Sequence, residues 1–221
     1  QMRPYKGRLP DNDNPVFREP YQTAVANENP DYNKQSFFLT NKATLNMDME
    51  SNRREQLDML ENSELLFDED KCTLAIEDVA EQITENLSDK YPLILPVMGG
   101  AIVFTGQLLP LLRFPLEFDY VHVSRYGNKL EGGNFHWLRT PQHSVEGRHV
   151  LIIDDILDEG HTMTAIKEKV MGLGALSCQT AVLANKLIGK PKPIEADYIG
   201  LNVPDRYIFG YGMDVAGAWR N

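Results

Sequence analysis

The sequence predicts an α/β domain, a doubly wound and mostly parallel sheet with helices on both faces. Two observations lead there. Apolar runs of strand length, residues 93–97, 150–153 and 180–185, alternate with longer stretches whose apolar residues recur every three or four positions. Residues suited to ligand chemistry follow the ends of such runs: Gly99 and Gly100, then Arg125 and Tyr126, then Asp154 to Thr162, then Lys186. In a parallel sheet those positions share one rim, outside the carboxyl ends of the strands, where such folds bind ligands.

At 221 residues the chain suits one domain and an additional segment. A net charge of −10 argues against broad nucleic-acid or membrane-surface binding. Cys72 and Cys178 are too few and too far apart for a disulfide framework or a cysteine metal site, which points to a reducing, cytoplasmic setting. No apolar run approaches the ~20 residues of a membrane span, and the N-terminus lacks the apolar core of a secretory signal.

Taken in order, residues 1–48 are a Pro- and Asn-rich N-terminal extension. Pro4, Pro10, Pro15, Pro20 and Pro30 disfavour helices and central strands. Tyr5, Phe17, Tyr21, Tyr32, Phe37 and Phe38 exceed what a solvated linker carries. An arm, a tail and an added leader all fit. The domain proper is expected over 49–221, starting with a helical pattern from Ser51 that bears a loose stripe of Leu57, Leu60, Leu65 and Leu66. Asp68-Glu69-Asp70 supplies a helix N-cap region, and Cys72, Ile76, Val79, Ile83 and Leu87 a helical face. After the strand at 93–97 comes a helix over 101–112, disturbed near Pro110. One alternating strand is expected over 117–125, and a long lid or binding loop over 126–146, rich in glycine. The strand at 150–153 precedes a helix over 164–173. The strand at 180–185 precedes a loop at 189–193, and two further strands are expected over 197–203 and 206–214.

The chemistry concentrates in HVLIIDDILDEGHT, residues 149–162. A buried strand delivers Asp154 and Asp155, then Asp158, and Glu159-Gly160-His161-Thr162 turns into a helix. Backbone N–H groups at such a turn, with the helix dipole, attract phosphate, while the acids take sugar hydroxyls or a metal ion. A carboxylate beside a transferring nitrogen serves as general acid or base. Gly99-Gly100 suits close backbone approach to an anion but equally a tight turn. Lys186 suits a carbonyl oxygen and Tyr207 a planar base, though an isolated Lys is commonly solvated and such aromatics are commonly core. There is no nucleophile elbow, Walker loop, GxGxxG or Cys/His cluster.

LIIDDILDEGHT resembles the phosphoribosyl-pyrophosphate (PRPP) motif of type I phosphoribosyltransferases. The order of VMGG (97–100), SRYG (124–127), Lys186 and the run over 204–221 is similar to the 6-oxopurine branch, the hypoxanthine-guanine phosphoribosyltransferases. The resemblance covers about residues 49–221. It implies the type I fold with a small hood region and a flexible loop. It also implies a cytoplasmic purine-salvage enzyme, a homodimer or homotetramer with no nucleic-acid or membrane partner. Such an enzyme transfers the phosphoribosyl group of PRPP to N9 of hypoxanthine or guanine with Mg²⁺, giving IMP or GMP and pyrophosphate. By the same resemblance Asp158 is the general acid or base, and Asp154 and Asp155 hold the ribose hydroxyls, directly or through Mg²⁺. Glu159, Gly160, His161 and Thr162 would wrap the 5-phosphate. Lys186 would meet O6, Tyr207 would stack on the purine, and the backbone of Ile208 would meet its exocyclic edge. Gly99, Gly100 and Arg220 would contact pyrophosphate, Asp214 would bind Mg²⁺, and Arg125 and Tyr126 would belong to the closing loop. A cis peptide is expected at Val97–Met98. The chain departs from the family where Met98 replaces a common Lys, and where Glu159 and His161 replace Thr and Lys. Two alternatives share the fold: a PRPP- or nucleotide-binding regulator, and a xanthine-preferring enzyme.

Overall fold

The structure, a computed structural model, describes residues 49–125 and 135–221. The residues from Met59 to Asn221 form one compact unit. Helix α1 occupies 49–61. Helix α2, Glu69–Leu87, is capped by Asp68, whose carboxylate accepts from the Lys71 N–H at 2.8 Å, with Glu69 and Asp70 in the first turn where the dipole favours them. Its expected face is its buried face: Cys72, Ile76, Val79, Ile83 and Leu87 all lie in the core. The stripe assigned ahead of it does not bury, since Leu60 is 45% and Leu65 80% exposed.

Strand β1, Leu93–Met98, leads into α3, Ile102–Leu108, and a 3₁₀ turn over Leu109–Leu111. Pro110, lacking an N–H, ends the α-helix where the sequence suggested. The single strand expected over 117–125 is two, β2 (Glu117–Phe118) and β3 (Val121–Arg125). Asp119 breaks it. Its buried carboxylate accepts from the backbone N–H groups of Tyr120 and His143 and from Arg139 at 2.8, 3.0 and 2.9 Å.

The long loop expected over 126–146 contains a strand. Residues Phe135–Arg139 form β4, which pairs antiparallel with β3; Tyr126 and the rest of 126–134 lie outside the described residues. Strand β5 (His149–Leu157), helix α4 (His161–Gly172), β6 (Ser177–Leu187) and β7 (Tyr198–Pro204) complete the fold. The run over 206–214 is not a strand. Left-handed φ at Gly210, Tyr211 and Gly212 (96, 50 and 108°) folds it into turns with isolated bridges. The cis peptide falls at Met98–Gly99, one residue beyond the expected bond.

The seven-stranded sheet runs β4-β3-β1-β5-β6-β7, with β2 beside the start of β1. Every pairing is parallel except β3 with β4. Alternate residues of the central strands feed two cores. Ile94, Leu151, Ile153 and Leu183 pack with α2 and α3, and Leu95, Val150, Ile152 and Val182 pack with α4. Burial on both faces explains why these strands read as continuous apolar runs rather than alternating ones. The doubly wound α/β reading is borne out.

Candidate functional site

Because β1, β3, β5 and β6 are parallel, their carboxyl ends share one rim, and the site grows from it. Strand β5 runs further than its apolar run, through Asp154 and Asp155 to Leu157. The Asp154 carboxylate accepts from the Asp155 N–H at 3.0 Å, and the Asp155 carboxylate from the Ile156 N–H at 2.7 Å. Burial, then the Asp155 negative charge, pushes the Asp154 carboxyl well above the usual carboxylate range. Burial raises Asp155 too, opposed by hydrogen bonding and by the Arg220 charge.

Asp155 is only 8% exposed because two glycines close over it. A Cβ on Gly100 would strike its carboxylate, and one on Gly212 would strike the Gly100 carbonyl. Glycine is therefore required at both positions for close approach of three segments. The third segment comes from the C-terminal turns. The Gly212 N–H donates to the Arg220 carbonyl at 2.7 Å, and the Arg220 guanidinium donates to the Gly212 carbonyl at 2.6 Å. Arg220 is also paired with Asp214 at 2.6 Å. The second Asp214 oxygen accepts from the Gly217 N–H at 2.8 Å. Tyr207, 73% exposed, donates its hydroxyl to the Asp214 carbonyl at 2.9 Å. Ile208 is half-buried beside it. Both line a cavity of about 840 Å³ whose other wall is residues 60–67. An Arg206–Glu64 pair at 2.9 Å bridges those two walls.

Past β5 the turn enters α4 at Gly160, φ 85°, a conformation glycine adopts without strain. Gly160 offers no side chain to the first-turn N–H groups, an arrangement that suits an anion. His161 is exposed and Thr162 half-buried in that first turn. Glu159, a sequence departure that would repel a phosphate, is paired with Lys190 at 3.1 Å. Gly99 is exposed and Gly100 half-buried in the turn after β1. Arg125 ends β3 on the same rim.

The base end of the rim is set by one ion pair. Lys186, near the end of β6, donates to Asp158 at 2.8 Å, with the lysine side chain 12% and the carboxylate 47% exposed. Sequence reasoning placed the two residues on one rim but did not pair them. It missed Lys192 altogether. This lysine returns from the loop after β6 and donates to the Leu157 carbonyl at 2.7 Å and to Asn185 Oδ1 at 2.8 Å. Burial holds its ammonium below the usual lysine value, the Asp158 charge opposes that shift, and the Lys186 charge adds to it.

A family pattern described as phosphoribosyl transferase domain matches residues 63–216. The chain belongs to this family. Among phosphoribosyltransferases, the hypoxanthine-guanine phosphoribosyltransferase of Bacillus subtilis (strain 168) is 34% identical over 158 residues, which are 71% of this chain and 88% of that protein. The hypoxanthine-guanine-xanthine phosphoribosyltransferase of Tritrichomonas foetus is 36% identical over 158 residues, 71% of this chain and 86% of that one. In three dimensions, a hypoxanthine phosphoribosyltransferase from Staphylococcus aureus superposes with a TM-score of 0.68. Its identity is 28%, and the match covers 72% of this chain and 87% of that one. The resemblance carried by residues 151–162 is thereby borne out, and with it the type I fold. Among the described residues no helix is long and apolar enough to cross a membrane.

Proposed function

We propose that this phosphoribosyltransferase transfers the 5-phosphoribosyl group of PRPP to N9 of hypoxanthine or guanine, releasing pyrophosphate and giving IMP or GMP. The observation that carries the acceptor is the Lys186–Asp158 pair at 2.8 Å. A 6-oxopurine presents two neighbouring acceptors on one edge, O6 and N7, whereas adenine presents a donor at its 6-position. Lys186 has only donors to offer, so it meets O6 and turns adenine away. Asp158, beside it, meets N7, giving or taking a proton as charge develops on the ring. Tyr207, on the cavity wall, stacks on the purine, and the backbone of Ile208 meets its exocyclic edge. At the other end the 5-phosphate seats on the N–H groups of Glu159 to Thr162 at the start of α4. The Glu159 side chain is kept away by Lys190. Pyrophosphate lies against Gly99, Gly100 and Arg220, and Arg125 and Tyr126 belong to the loop that excludes water around a cationic sugar. The Tritrichomonas relative is a hypoxanthine-guanine-xanthine phosphoribosyltransferase, and xanthine as a further acceptor is a second reading for this chain.

Mg²⁺ fits the acids on the rim. Asp154 and Asp155 are adjacent hard oxygen donors, and burial, then their mutual repulsion, raises the Asp154 pKa, a penalty that a divalent cation would relieve. A pair of carboxylates plus substrate oxygens is the usual Mg²⁺ environment. Among the described residues no cluster of three or more His, Cys, Asp or Glu is placed to hold a metal alone. Asp214 joins the set only when it is released from Arg220. When bound, the ion neutralises charge on the leaving pyrophosphate. Assembly as a homodimer or homotetramer and a cytoplasmic setting complete the proposal.

The test is pyrophosphate release from PRPP and Mg²⁺ with hypoxanthine, guanine, xanthine or adenine. Release with 6-oxopurines and little with adenine is expected. Absence of release with every base would leave a PRPP- or nucleotide-binding regulator as the better reading.

A further inference from the structure

Lys192 has no part in the chemistry described above, yet its surroundings are specific. Among the described residues its ammonium meets no carboxylate within ion-pair distance. It bridges two neutral acceptors instead, the Leu157 carbonyl at 2.7 Å and Asn185 Oδ1 at 2.8 Å. Those two residues are register partners on the parallel strands β5 and β6. Leu157 directly precedes Asp158, and Asn185 directly precedes Lys186. The lysine therefore grips one residue before each member of the acid–lysine pair. Asn185 is held from its other side, its Nδ2 donating to Asn202 Oδ1 of β7 at 2.8 Å. The ammonium, Asn185 and Asn202 thus link the ends of three adjacent strands.

The placement is not that of a solvated surface lysine. Lys192 is half-buried, and burial lowers its affinity for a proton. It feels a second cation, Lys186, while Asp158, the acid whose charge acts on it, is already taken by Lys186. A desolvated ammonium beside a like charge is kept only where its hydrogen bonds need it. At a strand end, where ladder pairing runs out, a charged donor bridging two partners fixes geometry that the sheet alone leaves free.

Resting on the transferase reading, we infer that Lys192 is a positioning residue that sets the spacing of Asp158 and Lys186 for the O6–N7 edge of the base. It touches neither substrate. Its loss shifts the two residues that do, and a displacement of about 1 Å in such groups lowers turnover by roughly 10²-fold.

The experiment compares wild type, Lys192→Met and Lys192→Arg in steady-state pyrophosphate release with hypoxanthine and adenine, alongside thermal melting. Lys192→Met keeps the aliphatic stem and removes the donor. A drop in kcat with hypoxanthine of about 10–100-fold is expected, with KM for PRPP within about twofold. The preference for hypoxanthine over adenine should narrow, and Lys192→Arg, which restores a donor, should recover most of kcat. Should Lys192→Met fold poorly, Asn185→Leu removes one of the two acceptors and is expected to lower kcat in the same sense. A Lys192→Met enzyme with kcat and base preference within twofold of wild type overturns the inference, as does a loss in melting temperature with unchanged turnover of the folded fraction. A wild-type chain that releases no pyrophosphate with any base overturns the transferase reading and this inference with it. An active wild type beside an unimpaired Lys192→Met removes this inference alone.

Discussion

Lys186→Met removes the only group proposed to distinguish O6 from an exocyclic amine, while keeping the stem that packs at the end of β6. The lysine is bonded to Asp158 at 2.8 Å and its side chain is 12% exposed, so the interaction it offers a base is desolvated and charge-assisted. Such a hydrogen bond contributes about 1.5–3 kcal/mol, which is roughly a 10- to 150-fold change in kcat/KM. Hypoxanthine should lose that factor. Adenine never had the bond, and its 6-amino group no longer faces an ammonium, so its kcat/KM should hold or rise. The ratio between the two bases then contracts by at least the hypoxanthine loss. Initial rates of pyrophosphate release at saturating PRPP, over a range of each base, measure it. A hypoxanthine kcat/KM within threefold of wild type, or an unchanged ratio between the bases, would refute the assignment of Lys186 to O6.

Asp158→Asn should lower turnover with hypoxanthine by about 10²–10⁴-fold, the usual scale for a lost general acid or base, with the KM for PRPP little changed in the same assay. Arg220→Leu should raise the KM for PRPP by about 10–100-fold through loss of a charge-assisted contact, leaving the KM for the base nearly constant. Asp119→Asn concerns stability rather than turnover. Burial raises the Asp119 pKa, but hydrogen bonds from the His143, Tyr120 and Gln142 N–H groups and from Arg139 outweigh that and hold it well below the usual range. A depressed folded value gives stability that is present above about pH 4, the unfolded value, and is lost as pH falls toward the folded one. Breaking this buried pair should cost about 3 kcal/mol or more at pH 7. Urea unfolding should show that difference shrink between pH 4 and pH 2, and a difference independent of pH would contradict the assignment.

What was legible in the sequence follows from how local the cause is. Helix α2 could be read because its cap, Asp68, and its apolar face sit within one stretch. The acids of β5 could be read because a doubly buried strand leaves little alternative for its apolar run, and the turn at Gly160 follows at once. The rim could be placed because parallel strands share an end. What failed depended on distant partners or unusual backbone. The break between β2 and β3 exists because Asp119 finds donors at 139, 142 and 143, twenty or more positions away. The turns over 206–220 rest on left-handed φ at Tyr211, Ala216 and Trp219 (50, 49 and 60°), where residues of strand-like composition take a conformation their side chains disfavour. Lys192 was invisible because its two acceptors are 35 and 7 residues away and only the returning loop brings it to them.

The ion pairs along the rim bear on how selectivity arises. Lys186 is held by Asp158, Lys190 by Glu159 and Arg220 by Asp214, each cation near a carboxylate in a chain of net charge −10. A partly buried cation left alone carries a desolvation cost, which these carboxylates offset. On the proposed reading, ligand binding is then an exchange rather than a simple attraction. A base that replaces Asp158 as the acceptor for Lys186 must also satisfy Asp158, and an edge with O6 beside a protonated N7 does both. Pyrophosphate that replaces Asp214 as the partner of Arg220 frees a carboxylate for the metal. Because both ends of a broken pair must find new partners, a mismatched ligand loses two interactions where a simple attractive pocket would lose one. Selectivity for the 6-oxopurine therefore lies in the pairing of Lys186 with Asp158, more than in either charge alone.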